Sequence, residues 1–282
     1  MIADKEGKVM VVTGASSGIG KAATEALALE GHQVVMVCRN EQKGRHALDD
    51  IQRKVPSAKL NLHLADLSSL EEVRRLAQEL KNQYPVVDVL LNNAGLIPGH
   101  QQTTADGWEL AWATNHLAPF LLTNLLMDSL LASEQGRVIN VTSEAHRLGQ
   151  IDFEHAGKPQ KYSAITAYAD SKLANIHFTY ELARRTEFTN LTVNCLHPGV
   201  VASGFGSNSN FFIRHLIRLT SVFMKSPAKG AETLVYLATS PYLKHVSGKY
   251  FKNKKQVPSA ADSNNAHVAR RLWDISAEQT GF

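Results

Sequence analysis

Tyr168-Ala169-Asp170-Ser171-Lys172 sets a phenol and an ammonium four residues apart. On a helix that spacing puts both groups on one face. A free tyrosine titrates near pH 10, too high for base work at neutrality, and a neighbouring cation stabilises the phenolate. Tyr168 is therefore a candidate general acid/base, with Lys172 as the cation expected to lower its pKa. The same spacing also occurs in exposed pairs on helix surfaces. Ser143 follows the apolar run Arg137 to Thr142. From a strand end its hydroxyl can donate to a substrate oxygen that gains charge during reaction. Asn115 stands among Leu110, Leu117 and Phe120 in a segment of helical period. Asparagine is disfavoured inside helices, so it has either a specific task or a solvent-facing position.

A second chemistry-bearing stretch is Thr13-Gly14-Ala15-Ser16-Ser17-Gly18-Ile19-Gly20, between an apolar run and a helical one. Small residues there let backbone N–H groups and a helix N-terminus approach a pyrophosphate. The spacing is G-x-x-x-G-x-G, which a purely structural tight turn also uses. Dinucleotide-binding sheets often carry an acidic residue after the second strand for the ribose 2′-hydroxyl of NAD. This chain has Val37-Cys38-Arg39-Asn40 instead. A guanidinium pairs with the 2′-phosphate of NADP and stacks on adenine, so Arg39 favours NADP(H) unless it is only a surface arginine. Asp66-Leu67 and Asn92-Asn93-Ala94-Gly95 add polar edges after the third and fourth strand-like runs, although the latter can also be a simple turn.

These groups need elements to position them. Strand-length apolar runs at Val9–Thr13, Gln33–Cys38, Leu60–Leu64, Val87–Asn92, Arg137–Thr142 and Leu191–Leu196 alternate with helical periods. The helical segments are Gly20–Glu30, Glu41–Lys54, Leu70–Gln83, Trp108–Leu131 and Thr166–Arg185. This pattern predicts an α/β fold: a single-domain, Rossmann-type, doubly wound parallel sheet with helices on both faces. Residues 1–282 contain no linker or repeat and read as one domain. Two stretches interrupt the alternation, Glu144–Ile165 and Ala202–Pro227, and both are candidate substrate walls. Within the second, Phe212, Leu216, Leu219 and Phe223 share one helical face and Arg214, His215 and Arg218 another. That segment, about 202–227, is expected to be a lid; lying on a membrane surface and subunit packing are its other readings.

Composition narrows the partners. Of 282 residues, 44% are hydrophobic and 20% charged, with a formal charge of +4. That is an ordinary globular balance. The basic residues are scattered, and the one compact run, Lys252 to Lys255, reads as a solvated loop, so no nucleic acid partner is expected. Cys38 and Cys195 lie in apolar strand-like runs and read as core thiols without a disulfide. No metal site is expected. The polar stretch Met1 to Lys8 has neither the pattern of a signal peptide nor that of a membrane anchor, which predicts a cytoplasmic protein.

With all these elements in order, the chain resembles the short-chain dehydrogenase/reductase family from about Gly7 to Phe251. The resemblance implies an oxidoreductase with Asn115, Ser143, Tyr168 and Lys172 as catalytic tetrad, Ser143 and Tyr168 also holding substrate. It implies cofactor contacts from Gly14, Ser16, Ser17, Gly18, Ile19 and Gly20, from Arg39, Asn40, Asp66 and Leu67, and from Asn93, Ala94 and Gly95. Tyr168, Lys172, Pro198, Gly199 and Val200 complete that set. Where relatives place a threonine on the nicotinamide carboxamide, Ser203 keeps the hydroxyl. By the same resemblance Lys172 holds the nicotinamide ribose and Asn115 anchors a water. The chain looks most like the retinol dehydrogenase-like branch, through Val37-Cys38-Arg39-Asn40, Thr104-Ala105-Asp106-Gly107, Asn115-His116-Leu117, His197-Pro198-Gly199 and Arg270-Arg271-Leu272-Trp273. The expected reaction is NADP(H)-dependent hydride transfer to or from a hydrophobic aldehyde, ketone or alcohol. Pairing through the helix of Tyr168 would make a homo-oligomer. Two other functions use similar motifs: a non-catalytic NADP(H) redox sensor, and a light-dependent reductase similar to the protochlorophyllide reductases.

Overall fold

The computed structural model describes residues 7–199 and 225–282. Its spine is an eight-stranded sheet: β1 (Val9–Thr13), β2 (Gln33–Cys38), β3 (Lys59–Leu64), β4 (Val89–Asn92), β5 (Arg137–Val141), β6 (Thr192–His197), β7 (Lys249–Lys252) and β8 (Lys255–Gln256). The strand order is β3-β2-β1-β4-β5-β6-β7-β8. Strands β1 to β7 run parallel and β8 is antiparallel to β7. Among the described residues the α-helices are α1 (Gly18–Leu29), α2 (Glu41–Lys54), α3 (Leu70–Gln83), α4 (Leu110–Trp112), α5 (Ala118–Leu125), α6 (Met127–Leu131), α7 (Ala164–Arg185), α8 (Pro227–Thr239) and α9 (Ala266–Thr280).

Side chains alternate across the strands and make two cores. Met10, Val12, Met36 and Leu91 face Leu27 of α1, Ile51 of α2 and Leu234 of α8. Val11, Val35, Leu90 and Val138 face Leu76 of α3, Leu121 of α5, Phe178 of α7 and Leu272 of α9. Each such buried side chain contributes about 1.5–3 kcal/mol, and a one-residue slip would turn every strand side chain to the wrong layer. Register, and with it the position of each strand end, is therefore set by the cores.

Strand β1 lies between β2 and β4, so the chain leaves it toward one side of the sheet and resumes on the other. The loops after β1 and β4 diverge there and open a crevice at the carboxyl ends of the strands.

The expected helix Trp108–Leu131 is not continuous. It runs as α4, one π-turn at Ala113–Leu117, α5 and α6. Pro119 explains the π-turn, because it lacks the N–H that would bond the Asn115 carbonyl in a regular helix. The run Lys252 to Lys255 is largely exposed, as expected, and forms a tight hairpin rather than an irregular loop. Asn253 and Lys254 take φ of 52° and 62°, the two left-handed positions of a tight hairpin, and Lys252 pairs with Lys255 across it. Lys254 lies 2.9 Å from Glu232 and Lys252 3.5 Å from Glu144. Strands β7 and β8 and helices α8 and α9 extend the alternation beyond what the apolar runs indicated. Both cysteines are buried free thiols. Among the described residues no helix is long and apolar enough to cross a membrane. Residues 202–224 of the expected lid segment, with Phe211 to Met224, fall outside the described residues, and its end, Ser226 and Pro227, belongs to the start of α8.

Candidate active site

The crevice holds a cleft of about 410 Å³, within the range of small-ligand sites. Two larger hollows, of about 560 and 780 Å³, contain none of the candidate catalytic groups. The assignment therefore rests on chemistry rather than on size.

At one end of the cleft, Gly14, Ser16, Ser17, Gly18, Ile19 and Gly20 carry the chain from β1 into α1. Gly14 and Gly18 have φ of 69° and 55°, a region that favours glycine. A Cβ on Gly20 would stand 2.2 Å from the Gly14 carbonyl oxygen, so this turn closes only without side chains. Ser17 is the N-cap residue of α1, yet its side chain makes no capping hydrogen bond. The N–H groups of the first turn are left for an anion.

Thr13 locks this loop to the one after β4. Its hydroxyl donates to the Leu91 carbonyl at 3.2 Å and accepts from the N–H groups of Asn93 and Ala94, both at 3.0 Å. The Asn93 carboxamide in turn donates to the Thr13 carbonyl at 2.8 Å. Asn93, Ala94 and Gly95 are thus fixed on the cleft wall. The stretch after β4 is more than a turn.

Arg39 and Asn40, after β2, and Asp66 and Leu67, after β3, line the cleft as well. Asn40 has a structural duty as well: it caps α2 by accepting from the Lys43 N–H at 2.9 Å. Asp66 accepts from the Ser68 N–H and hydroxyl at 2.9 and 2.7 Å through one oxygen, Oδ1. Among the described residues no hydrogen bond or ion pair engages the Arg39 guanidinium. Pro198 and Gly199, φ 95°, also line the cleft, after β6. Val200 and Ser203 lie outside the described residues.

The other end brings Ser143, Tyr168 and Lys172 together. Ser143 caps a short 3₁₀ turn, Glu144–Leu148, by accepting from the Ala145 N–H at 3.2 Å, and it hydrogen-bonds the Tyr168 hydroxyl. Tyr168 and Lys172 lie one turn apart on α7, whose N-terminus is capped by Ser163. The Lys172 ammonium donates to the Val141 carbonyl at 3.0 Å and stands 5.6 Å from the centre of the Tyr168 ring. Burial lowers the Lys172 pKa to about 8. Burial also pushes the Tyr168 phenol up to about 12, against the opposing pull of the Ser143 hydrogen bond. The expected lowering of the tyrosine by its lysine is not what the protein alone exhibits. Burial governs the phenol, and the ammonium is directed at Val141.

Asn115 does not line the cleft. It is completely buried, not solvent-facing, and sits directly behind the cleft-lining Gly95 and Leu96. Its carboxamide accepts from the Leu96 N–H at 2.9 Å and donates to the Leu96 carbonyl and the Ser171 hydroxyl, both at 3.0 Å. Ser171 then donates to the Tyr168 carbonyl at 2.7 Å. Asn115 therefore ties the β4 loop to the turn of α7 that carries the tyrosine. A Cβ on Gly95 would lie 3.2 Å from the Lys172 ammonium and 3.3 Å from the Asn115 oxygen, so glycine is what lets the lysine reach its place. The Asn115 carbonyl, released by Pro119, accepts from the Asn175 carboxamide at 2.7 Å.

Behind these residues a buried polar chain crosses the sheet. Asn92 donates to Thr123 at 3.0 Å and to Asn140 at 2.9 Å, Asn140 donates to Thr179 at 2.9 Å, and Thr179 donates to the Asn175 carbonyl at 2.7 Å. Sequence reasoning passed over Asn140, Asn175 and Thr179, and also Lys43 and Thr114, which line the cleft, and it gave His197, another lining residue, no role in the site. The available signals were Pro119 four residues after Asn115, and polar residues inside otherwise apolar runs.

Residues 8–211 match the short chain dehydrogenase family model. Human retinol dehydrogenase 14 is 40% identical over 295 residues, covering 98% of this chain and 87% of its own. Human retinol dehydrogenase 13 is 41% identical over 282 residues, with 98% and 85% covered. A solved structure from Mycobacterium paratuberculosis superposes with a TM-score of 0.79 at 30% identity, covering 97% of this chain and 93% of that one. One from Shigella flexneri, complexed with NADP, gives 0.70 at 27% identity over 88% and 97%. With the ordered glycine turn, the Ser143–Tyr168–Lys172 cluster and near full-length likeness together, the chain belongs to the short-chain dehydrogenase family, on its retinol dehydrogenase-like branch, and is an oxidoreductase of alcohol and carbonyl groups.

Proposed function

We propose that this enzyme is NADP(H)-dependent and moves a hydride between nicotinamide and a hydrophobic aldehyde, ketone or the corresponding alcohol. The observation that carries the reading is the pairing, in one cleft, of an uncapped helix N-terminus and Arg39 with the Ser143–Tyr168–Lys172 cluster. Ser17 to Gly20 would hold the pyrophosphate, Arg39 the 2′-phosphate and Lys172 the nicotinamide ribose. When bound, the nicotinamide supplies or accepts the hydride.

The chain's own residues handle the oxygen and the proton. A phenol held near 12 stays protonated at neutral pH, so in the reduction direction Tyr168 gives its proton to the substrate oxygen as negative charge develops there. Ser143 donates to the same oxygen and fixes it beside the phenol. Asn115 holds the turn of α7 on which both Tyr168 and Lys172 ride. An apolar substrate is supported by the retinol for which the similar proteins are named. A cytoplasmic location belongs to the same proposal and rests on the two unpaired, buried thiols.

The test is oxidation of NADPH and of NADH by purified protein against hydrophobic aldehydes and ketones, with Arg39→Asp in parallel. Retinal belongs in the panel because relatives are named for retinol. The expected result is turnover with NADPH, and a preference that shifts toward NADH by about 10- to 100-fold in Arg39→Asp, as loss of a charge-assisted pair predicts. Equal use of both cofactors by the unaltered enzyme would remove the NADP assignment. Turnover confined to small polar carbonyls would remove the hydrophobic substrate.

A further inference from the structure

His146 lies three residues after Ser143 and is 1% exposed. Both of its ring nitrogens are engaged, and both partners are backbone groups whose roles cannot reverse. Nε2 receives the Ala260 N–H at 3.0 Å, so this nitrogen carries no proton. Nδ1 stands 2.6 Å from the Ser143 carbonyl oxygen and must therefore carry the proton and donate it. The two bonds are satisfied together only by the neutral ring protonated on Nδ1. Burial, which lowers the His146 pKa, favours that neutral form.

Other bonds tie the same 3₁₀ turn to the C-terminal part of the chain. Glu144 accepts from the Tyr250 hydroxyl at 2.9 Å, and Arg147 donates to the Pro258 carbonyl at 2.9 Å. The His146 ring packs edge-on against Tyr250, with centres 5.2 Å apart. Those contacts hold the turn's flanks. The imidazole alone joins the 258–264 segment directly to Ser143, whose carbonyl also accepts the His146 N–H at 3.1 Å. Three donors on one carbonyl, the Thr142 hydroxyl at 3.3 Å being the third, fix the peptide plane of Ser143, and with it the direction of the hydroxyl shared with Ala145 and Tyr168.

We propose that His146 is a positioning residue for the reaction: a neutral, Nδ1-protonated imidazole that braces Ser143 against the Ala260 backbone and so aims the serine hydroxyl at the substrate oxygen. It touches neither substrate nor cofactor, and this reading rests on Ser143 acting as proposed above. Misplacing a reacting group by an ångström costs about 10²-fold in rate.

Three variants separate the two bonds. His146→Asn keeps a donor at the Nδ1 position and loses the acceptor. His146→Gln places an acceptor near Nε2 and loses the donor. His146→Phe loses both. The expected result is a kcat about 10- to 100-fold lower in the Phe variant, which loses both bonds, a smaller loss in the Asn and Gln variants, which each keep one, and an NADPH Kd by fluorescence titration that is unchanged in all three. Equal kcat across the three folded variants would overturn the proposal, because a space-filling role does not depend on which nitrogen is mimicked. A second measurement stands apart from turnover: ¹⁵N histidine spectra of the unaltered protein should give the Nδ1–H tautomer for His146. An Nε2–H tautomer would overturn the brace whatever the substrate. If the unaltered protein turned over no carbonyl, the substrate reading would fall, and the tautomer would still decide this one.

Discussion

Helices α2, α3, α7, α8 and α9 each begin with a side chain that accepts from a first-turn N–H: Asn40, Ser69, Ser163, Ser226 and Asn265. Helix α1 begins with Ser17, a residue type equally able to cap, and makes no such bond. The contrast runs through the whole cleft. At the proton-handling end, Ser143, Tyr168, Lys172 and Asn115 are held by bonds internal to the protein. At the phosphate end, the first turn of α1 lacks a side-chain cap. A proton has to pass between atoms fixed in advance, which requires saturated, rigid neighbours. An anion is recognised by donors that have no other acceptor. The two ends of one cleft thus follow opposite rules of hydrogen-bond satisfaction.

The strongest way to break this comparison is at the tyrosine. Tyr168→Phe should lower turnover by about 10²- to 10⁴-fold, the range for loss of a general acid, while NADPH binding by fluorescence stays within about twofold. Loss of binding together with turnover would mean that the two ends are not separable.

Lys172→Met is expected to be similarly damaging to turnover and to act on stability in the opposite direction. The lysine pKa falls from 10.5 to about 8 on folding. Between those values the unfolded chain binds more protons than the folded one, so stability of the unaltered protein should rise with pH from about 8 toward 10.5. Below pH 8 the buried ammonium carries its full desolvation cost. The methionine variant should therefore melt higher than the parent at pH 7, by an advantage that shrinks as pH approaches the unfolded lysine value. Thermal melts across pH 6–10 check this; a variant that melts lower at pH 7 would mean that the Val141 bond outweighs desolvation.

Periodicity made the phosphate end legible, and the glycines, Arg39 and Asp66 all stand where the alternation of runs put strand ends. Alternation reports which strand ends share an edge, and phosphate recognition needs little more than that. The proton-handling end was legible in its participants and not in its supports. Tyr168 and Lys172 follow from helical spacing, because they are neighbours in sequence. Asn115 reaches Ser171 across 56 positions, and His146 reaches Ala260 across 114. Such pairings are made by tertiary packing, and no local period encodes them. The π-turn at Asn115 is an intermediate case. Pro119 marks it locally, while the Asn175 carboxamide that uses the released carbonyl comes from α7.

The smallest effect isolates the comparison most cleanly, because it sets one serine against another. Ser69 accepts from the Glu72 N–H at 3.3 Å, whereas Ser17 makes no cap bond. Removing a working cap costs about 1 kcal/mol, so Ser69→Ala should lower the denaturation midpoint and leave NADPH affinity unchanged. Ser17→Ala has no cap bond to lose. In the free protein it should unfold within about 0.5 kcal/mol of the parent, as an ordinary surface change does. Its effect should appear only on titration with NADPH, as a Kd raised several-fold through loss of one hydroxyl donor to the phosphates. Urea unfolding of both variants with and without NADPH gives all four numbers. If Ser17→Ala destabilised the free protein as much as Ser69→Ala, the serine would be an ordinary cap, and the contrast between the two ends of the cleft would lose its basis.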